Sequence, residues 1–189
     1  SGYEEERLAI MGLDTRVLGY SGTRSEQFHR DLLERVRGLQ EVTSAAPSAM
    51  PPFRGMPGTR IGIAGRDHEA SWVTAVAYVG EGFFDAAGLT VQAGTGDIQQ
   101  IAREGSMIVN RAMARQLEEA GEEVLGTLVR IGREEDAPRY TVAGVVSNAR
   151  AVLYHPEDPV IYLPLDREGL QSATIFVRTT GSPGEALPA

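Results

Sequence analysis

Along the chain the apolar positions fall first into an extended run. From Arg7 to Val17, Leu8, Ile10, Met11 and Leu13 fill both faces of a predicted strand, and Ser21-Gly22 ends it. A helix is predicted to begin at Thr23. Thr23-Arg24-Ser25-Glu26 fits a capping box, in which the threonine hydroxyl and the glutamate each take an end amide. Phe28, Leu32, Val36 and Leu39 recur at helical spacing and form the expected buried stripe. On the wet face Glu26–Arg30 and Asp31–Arg35 are i,i+4 pairs, worth about 0.3 kcal/mol each. A strand from Glu41 to about Ala49 would complete a β-α-β unit.

Met50-Pro51-Pro52-Phe53-Arg54-Gly55-Met56-Pro57-Gly58 is the strongest interruption. Its prolines lack the amide that a helix or a central strand needs, so a subdomain boundary is expected there. Strands follow at Thr59–Ala64 and Trp72–Val79, and a short helix at Glu81–Ala87 closed by Gly88. Ser106–Val109 reads as a short buried strand. Asn110 then caps a helix from Arg111 to Ala120, with Met113 and Leu117 inward and Gly121 ending it. Further strands are expected at Leu128–Ile131, Tyr140–Val146, Val160–Leu163 and Ser172–Arg178. Tyr140–Val146 is apolar on both faces, the pattern of a strand inside a sheet. The fold class is therefore α+β with short helices and no internal repeat.

Composition narrows the function. The 189 residues hold 18 basic and 26 acidic side chains, giving a net charge of −8 that repels phosphate backbones and argues against nucleic-acid binding. Every basic residue is Arg, so neither Schiff-base lysine chemistry nor a Walker-type lysine is available. With no Cys there is no disulfide framework and no thiolate nucleophile or metal ligand. No stretch reaches the ~18–20 apolar residues of a membrane span. The chain opens on Ser1-Gly2-Tyr3 and stops at Leu187-Pro188-Ala189, and the expectation is that both ends continue into a longer protein.

No catalytic constellation emerges. His29 lies beside the helical stripe, His68 in Arg66-Asp67-His68-Glu69 and His155 in Tyr154-His155-Pro156, and all three are expected to be solvated. None has an i,i+4 histidine partner for a metal. Gly19-Tyr20-Ser21-Gly22 lacks the spacing of a nucleophile elbow, and Gly94-Thr95-Gly96-Asp97-Ile98-Gln99 lacks the third glycine of a dinucleotide fingerprint. Glu118-Glu119, Glu122-Glu123 and Glu134-Glu135 read as solvated faces rather than acid/base pairs. Trp72, Phe83 and Phe84 are expected in a core or interface. No catalytic, cofactor-binding or metal-ligating residue is assigned.

The order of segments carries a resemblance. The entry strand Leu8–Arg16, the helix Phe28–Val36 with Val42-Thr43-Ser44-Ala45-Ala46, and Val79-Gly80-Glu81-Gly82-Phe83-Phe84 through Gly88-Leu89 come first. Met107-Ile108-Val109-Asn110-Arg111-Ala112-Met113-Ala114-Arg115, Gly126–Gly132, Thr141–Val146 and Val160–Leu165 follow in the same sequence. Together they resemble the extracytoplasmic core domain of MacB-like ABC transporter permeases, in the FtsX-like group, nearly end to end. In style the motifs are closest to the duplicated orphan permeases of that group. Two positions depart from the family pattern: Thr95 stands where Arg is usual, and Asn148 where Asp is usual.

The resemblance implies a porter-like subdomain containing the β-α-β unit, built from about 1–57 and 137–189, with a mixed α/β, Sabre-like subdomain of 58–136 inserted in it. It implies a non-enzymatic, periplasmic domain of an inner-membrane permease, tied to the membrane by flanking helices. Such a permease would couple cytoplasmic ATP hydrolysis to substrate export or mechanotransmission. The partners implied are a second permease copy, a cytoplasmic ABC ATPase and a periplasmic adaptor protein. No cofactor or metal is implied. Partner contacts are expected in Met50–Gly58 and in 80–97, where loops edge the subdomains. The alternative from another class is a freestanding periplasmic solute-binding or adaptor-like module.

Overall fold

The computed structural model describes residues 7–17, 19–49, 58–66, 71–134, 136–148 and 158–186. In chain order the elements are β1 (Leu8–Gly12), α1 (Gly22–Arg37), β2 (Val42–Ser48), β3 (Gly58–Ile63), β4 (Ser71–Val79) and α2 (Phe83–Ala87). Then come β5 (Val91–Gly94), α3 (Ile98–Glu104), β6 (Ser106–Asn110), α4 (Arg111–Glu119), β7 (Leu128–Ile131) and β8 (Arg139–Val146). The chain finishes with β9 (Val160–Pro164), α5 (Arg167–Leu170), β10 (Thr174–Thr179) and α6 (Pro183–Ala186). Contacts divide the chain into two units, one of Ser1–Arg54, Tyr78–Leu89 and Leu165–Ala189, the other of Gly55–Ala77 and Thr90–Pro164.

The division differs from the sequence expectation of 1–57 with 137–189. Tyr78–Leu89 joins the first unit because Val79 pairs with Ser48 and because α2 packs on β2 and β10. β8 and β9 join the second because both hydrogen-bond to β6.

In the first unit β10 is the middle strand, antiparallel to β1 on one side and to β2 on the other. β1 and β2 therefore run parallel with β10 between them, a split version of the expected β-α-β unit. The period-2 alternation of β10 sorts its side chains onto two faces. Ile175 and Val177 join Val36 of α1 and Ala45, with Leu32 and Leu33 packed against them. Phe176 points the other way, its ring 5.1 Å from that of Phe83 in α2. Burial on both faces makes β10 nearly solvent-free.

Helix α1 starts one residue earlier than predicted, with Ser21 at the N-cap and no side-chain cap bond. The expected capping box does not form. Ser25 instead bonds the Thr15 hydroxyl at 2.7 Å, and Glu26 turns to Arg167. The helix is also rotated relative to the predicted stripe: Ser25, His29 and Val36 are buried, whereas Phe28 and Leu32 are half-buried. Of the predicted i,i+4 carboxylates, Asp31 accepts from Gln27 at 2.6 Å.

In the second unit one strand path closes on itself, β4–β3–β7–β8–β6–β9 with β9 returning to β4. All neighbours of known register are antiparallel except β6 and β8, which are parallel. Closure leaves these six strands without a free edge. Ile61, Val129, Val142, Met107, Val109, Ile161 and Leu163 meet in one apolar cluster, joined by Met113, Ala114 and Leu117 of α4. Trp72 is partly buried against the same cluster. β6 is buried at all five residues, as a central strand should be.

β5 adds to β8 outside this path, and there the backbones approach closely. Gly144 has no side chain because a Cβ would overlap the carbonyl oxygen of Thr95. β5, α3, α5 and α6 are elements that the sequence pattern does not announce.

Candidate functional site

On α1 the residues Glu26, His29, Arg30, Leu33 and Arg37 fall at helical spacing on one face. Within the first unit this face, with Arg167 and Leu170 of α5 and with Pro47, Gly80 and Glu81, lines a cleft of about 310 Å³. α5 is held by Asp166, whose carboxylate accepts from Gly169 N at 2.7 Å. Arg37 is fixed by donating to Ala45 O at 2.9 Å and to Glu81 O at 3.3 Å. Arg167, whose side chain is 85% exposed, reaches Glu26 at 3.4 Å. Arg30 donates to its helix neighbour Gln27 at 3.3 Å.

His29 is the buried member of the cleft wall, 1% exposed. Its Nδ1 lies 2.9 Å from Ser25 O. A carbonyl only accepts, so Nδ1 carries a proton, and in the neutral ring Nε2 is then the acceptor. That Nε2 has no partner among the described residues. The ring meets Phe28 edge-on at 5.9 Å, Phe28 meets Tyr20 at 5.6 Å, and Arg24 lies 4.1 Å over the Tyr20 ring. The expectation of a solvated His29 is thus overturned, because the helix turns Ser25, His29 and Val36 inward. The signal was in the sequence: Ser25, His29, Leu32 and Val36 also follow the 4-3-4 spacing of a helical face.

The other candidates scatter. His68, His155, the Asp67-His68-Glu69 triplet and most of Met50–Gly58 lie outside the described residues. Among the described residues no three His, Asp or Glu side chains come together as metal ligands. Glu118 bonds Arg111 through two contacts of 2.9 and 3.0 Å, and Glu122 pairs with Arg66. Asp97, in the glycine-containing stretch, caps α3 by accepting from Gln99 N and Gln100 N. Phe83 and Phe84 are core residues, with rings 5.9 Å apart.

Asn110 does what its position predicted, and more. Its Oδ1 accepts from Met113 N at 2.9 Å and from Val160 N at 3.0 Å, while Nδ2 donates to Asp158 O at 2.8 Å. Asn148 Oδ1 accepts from Ala112 N at 2.9 Å, so a second side chain satisfies the start of α4. The role is one that a carboxylate also fills, which accounts for Asn148 where Asp is usual. Asp14 and Tyr162 are shifted in acidity. Arg16, hydrogen-bonded to Asp14, holds that carboxyl below its ordinary value, and burial pushes the Tyr162 phenol upward.

Among the described residues these features assemble no reaction centre. The extracellular domain of the noncanonic ABC-type transporter YknZ from Gram-positive bacteria aligns with a TM-score of 0.54 at 17% identity, covering 92% of this chain and 84% of that one. A domain of a permease protein from Porphyromonas gingivalis aligns at 0.58 and 16% identity, covering 96% and 80%. The periplasmic region of MacB from Actinobacillus actinomycetemcomitans aligns at 0.53 and 15% identity, covering 91% and 73%. At such identities the likeness shows the fold, which is that of extracytoplasmic domains of ABC-type permeases. No curated protein matches in sequence. The family model of the MacB-like periplasmic core domain matches residues 6–187, and the chain belongs to that family.

Proposed function

We propose that this chain is the periplasmic domain of an inner-membrane MacB/FtsX-like ABC permease. It moves with the membrane helices and couples ATP hydrolysis by a separate cytoplasmic domain or subunit to substrate export or mechanotransmission. The observation that carries the reading is the pairing of Leu8 with Arg178 in a chain of this family. The segments before β1 and after β10 leave from neighbouring points of one sheet, as a domain carried between two membrane helices requires. Among the described residues no helix is long and apolar enough to cross a membrane. The first unit corresponds to the porter-like subdomain and the second to the Sabre-like one. A second permease copy and a periplasmic adaptor are the expected partners. Within 80–97, Phe83, Phe84, Ala86 and Ala87 are core, so the exposed strand β5 is the better candidate for partner contact.

Rigid transmission fails if the links are slack. In the full-length permease, ten-residue Gly/Ser insertions before residue 7 and after residue 186 should abolish ATP-driven transport while ATP hydrolysis persists. Undiminished transport with both insertions would overturn the coupling role.

A further inference from the structure

Residues 78–89 are the one stretch of the first unit bounded on both sides by passages of the chain into the second. The stretch is tied down through its own carbonyls. Arg37 Nη2 donates to Glu81 O at 3.3 Å, Ser44 Oγ to Gly82 O at 3.4 Å, and Arg178 Nε to both Asp85 O and Ala86 O at 3.1 Å. We propose that Arg178 is a positioning residue that fastens α2 to the strands nearest the two chain ends, so that α2 moves with those ends and hands their displacement along the chain to β4 and β5. This rests on the coupling role proposed above and names the side chain through which it acts.

Place, chemistry and packing converge on that residue. Arg178 pairs with Leu8, the first residue of β1, so it stands where β1 enters and β10 leaves the sheet. The carbonyls it holds belong to the last turn of α2, the negative end of the helix, where a guanidinium donor is charge-assisted. Gly88 follows in the left-handed conformation at φ 73°, and a Cβ there would overlap the same guanidinium. With five residues, α2 is too short to be held by its own helical bonds, so contacts with its neighbours fix its position. On β10 those contacts share one face: the Phe83 ring meets Phe176 at 5.1 Å, and Arg178 lies two residues further along the strand. The β10–β2 ladder also slips at this point, Arg178 facing Ser44 but Thr179 facing Val42. A slip of this kind breaks the regular ladder, so displacement of the end of β10 reaches Arg178 before it reaches the rest of the sheet.

Two measurements test the fastening and its role. In the chain itself, hydrogen exchange is read at the amides of Gly88 and Leu89, which bond Asp85 O at 3.1 Å and Phe84 O at 2.7 Å. It should quicken about tenfold in Arg178→Ala, with α4 unchanged. Because the 189 residues contain no Cys, spin labels can be placed at Asp85→Cys and Ser172→Cys, both exposed, in the full-length permease with its ATPase. The distance between them should be the same in the nucleotide-free and vanadate-trapped states, whereas in Arg178→Ala it should lengthen or broaden on trapping. Unchanged exchange in Arg178→Ala overturns the fastening and leaves the coupling role standing. A distance that shifts on trapping with Arg178 intact does the same. Faster exchange with a distance that responds in neither protein overturns the coupling role and the proposal together. Should Arg178→Ala not fold, Arg178→Gln, which keeps the aliphatic stem and removes the charge, takes its place in both measurements.

Discussion

The two units begin their longest helices in opposite ways. In the second, Asn110 satisfies Met113 N, Val160 N and Asp158 O at once, and Asn148 completes the start of α4. In the first, α1 begins at a Ser21 that makes no cap bond and carries a buried His29 with an idle ring nitrogen. A closed strand path with a helix start bonded by two side chains resists distortion, since every opening exposes unpaired amides. The first unit leaves its helix start without a side-chain cap beside an open cleft. Structures keep such local inconsistencies where something other than stability is served.

That contrast can be broken, and the sharpest blow falls on Asn110. Asn110→Ala leaves two buried amides and a carbonyl without partners and should cost about 4 kcal/mol. The single tryptophan, Trp72, sits against the cluster of the second unit and reports its denaturant unfolding by fluorescence. A loss below about 1 kcal/mol would mean that this unit is not held through its polar tie. Gly144→Ala should cost about 2 kcal/mol, because the new methyl must push the Thr95 carbonyl away. The same fluorescence transition checks it.

A pH effect sharpens the comparison further. Burial raises the Tyr162 phenol above its ordinary value of 10.0, so the folded chain holds that proton more tightly than the unfolded chain does. Its contribution to stability is complete below pH 10.0 and is lost as the pH rises beyond it. In an alkaline absorbance titration Tyr162 should ionise only together with loss of near-ultraviolet circular dichroism, and Tyr162→Phe should remove that phase. The smallest effect has the opposite sign. His29→Leu removes an unmet acceptor and should leave the melting temperature unchanged or raise stability by about 0.5 kcal/mol. A loss above about 2 kcal/mol would show that the bond to Ser25 O dominates and would erase the contrast.

What the sequence disclosed follows the strength of its periodicity. β6, with Ser106–Val109 apolar or small throughout, and the cap at Asn110 were legible because burial and capping each leave a local mark. β5 was not, since Val91, Gln92, Ala93 and Gly94 are all exposed and show no alternation. α3 buries Ile98 and Ile101 in seven residues, too few to set a period, although Asp97 marked its start. His29 was misplaced because two stripes, Phe28–Leu32–Val36 and Ser25–His29–Val36, share a helix, and hydrophobicity favoured the wrong one. The division into units was partly hidden for another reason. Pairing of β8 and β9 with β6 is a long-range choice that composition breaks do not record.

The position of β10 has a consequence for how the molecule is made. It is the last strand among the described residues and lies between β1 and β2, pairing Arg178 with Leu8 and Thr174 with Ser48. During synthesis β1 and β2 emerge early and wait, with nothing between them, until β10 has appeared. The closed path of the second unit is complete by Pro164 and can form first. Completion of the first unit is therefore expected to come late, with its apolar strand faces exposed in the interim.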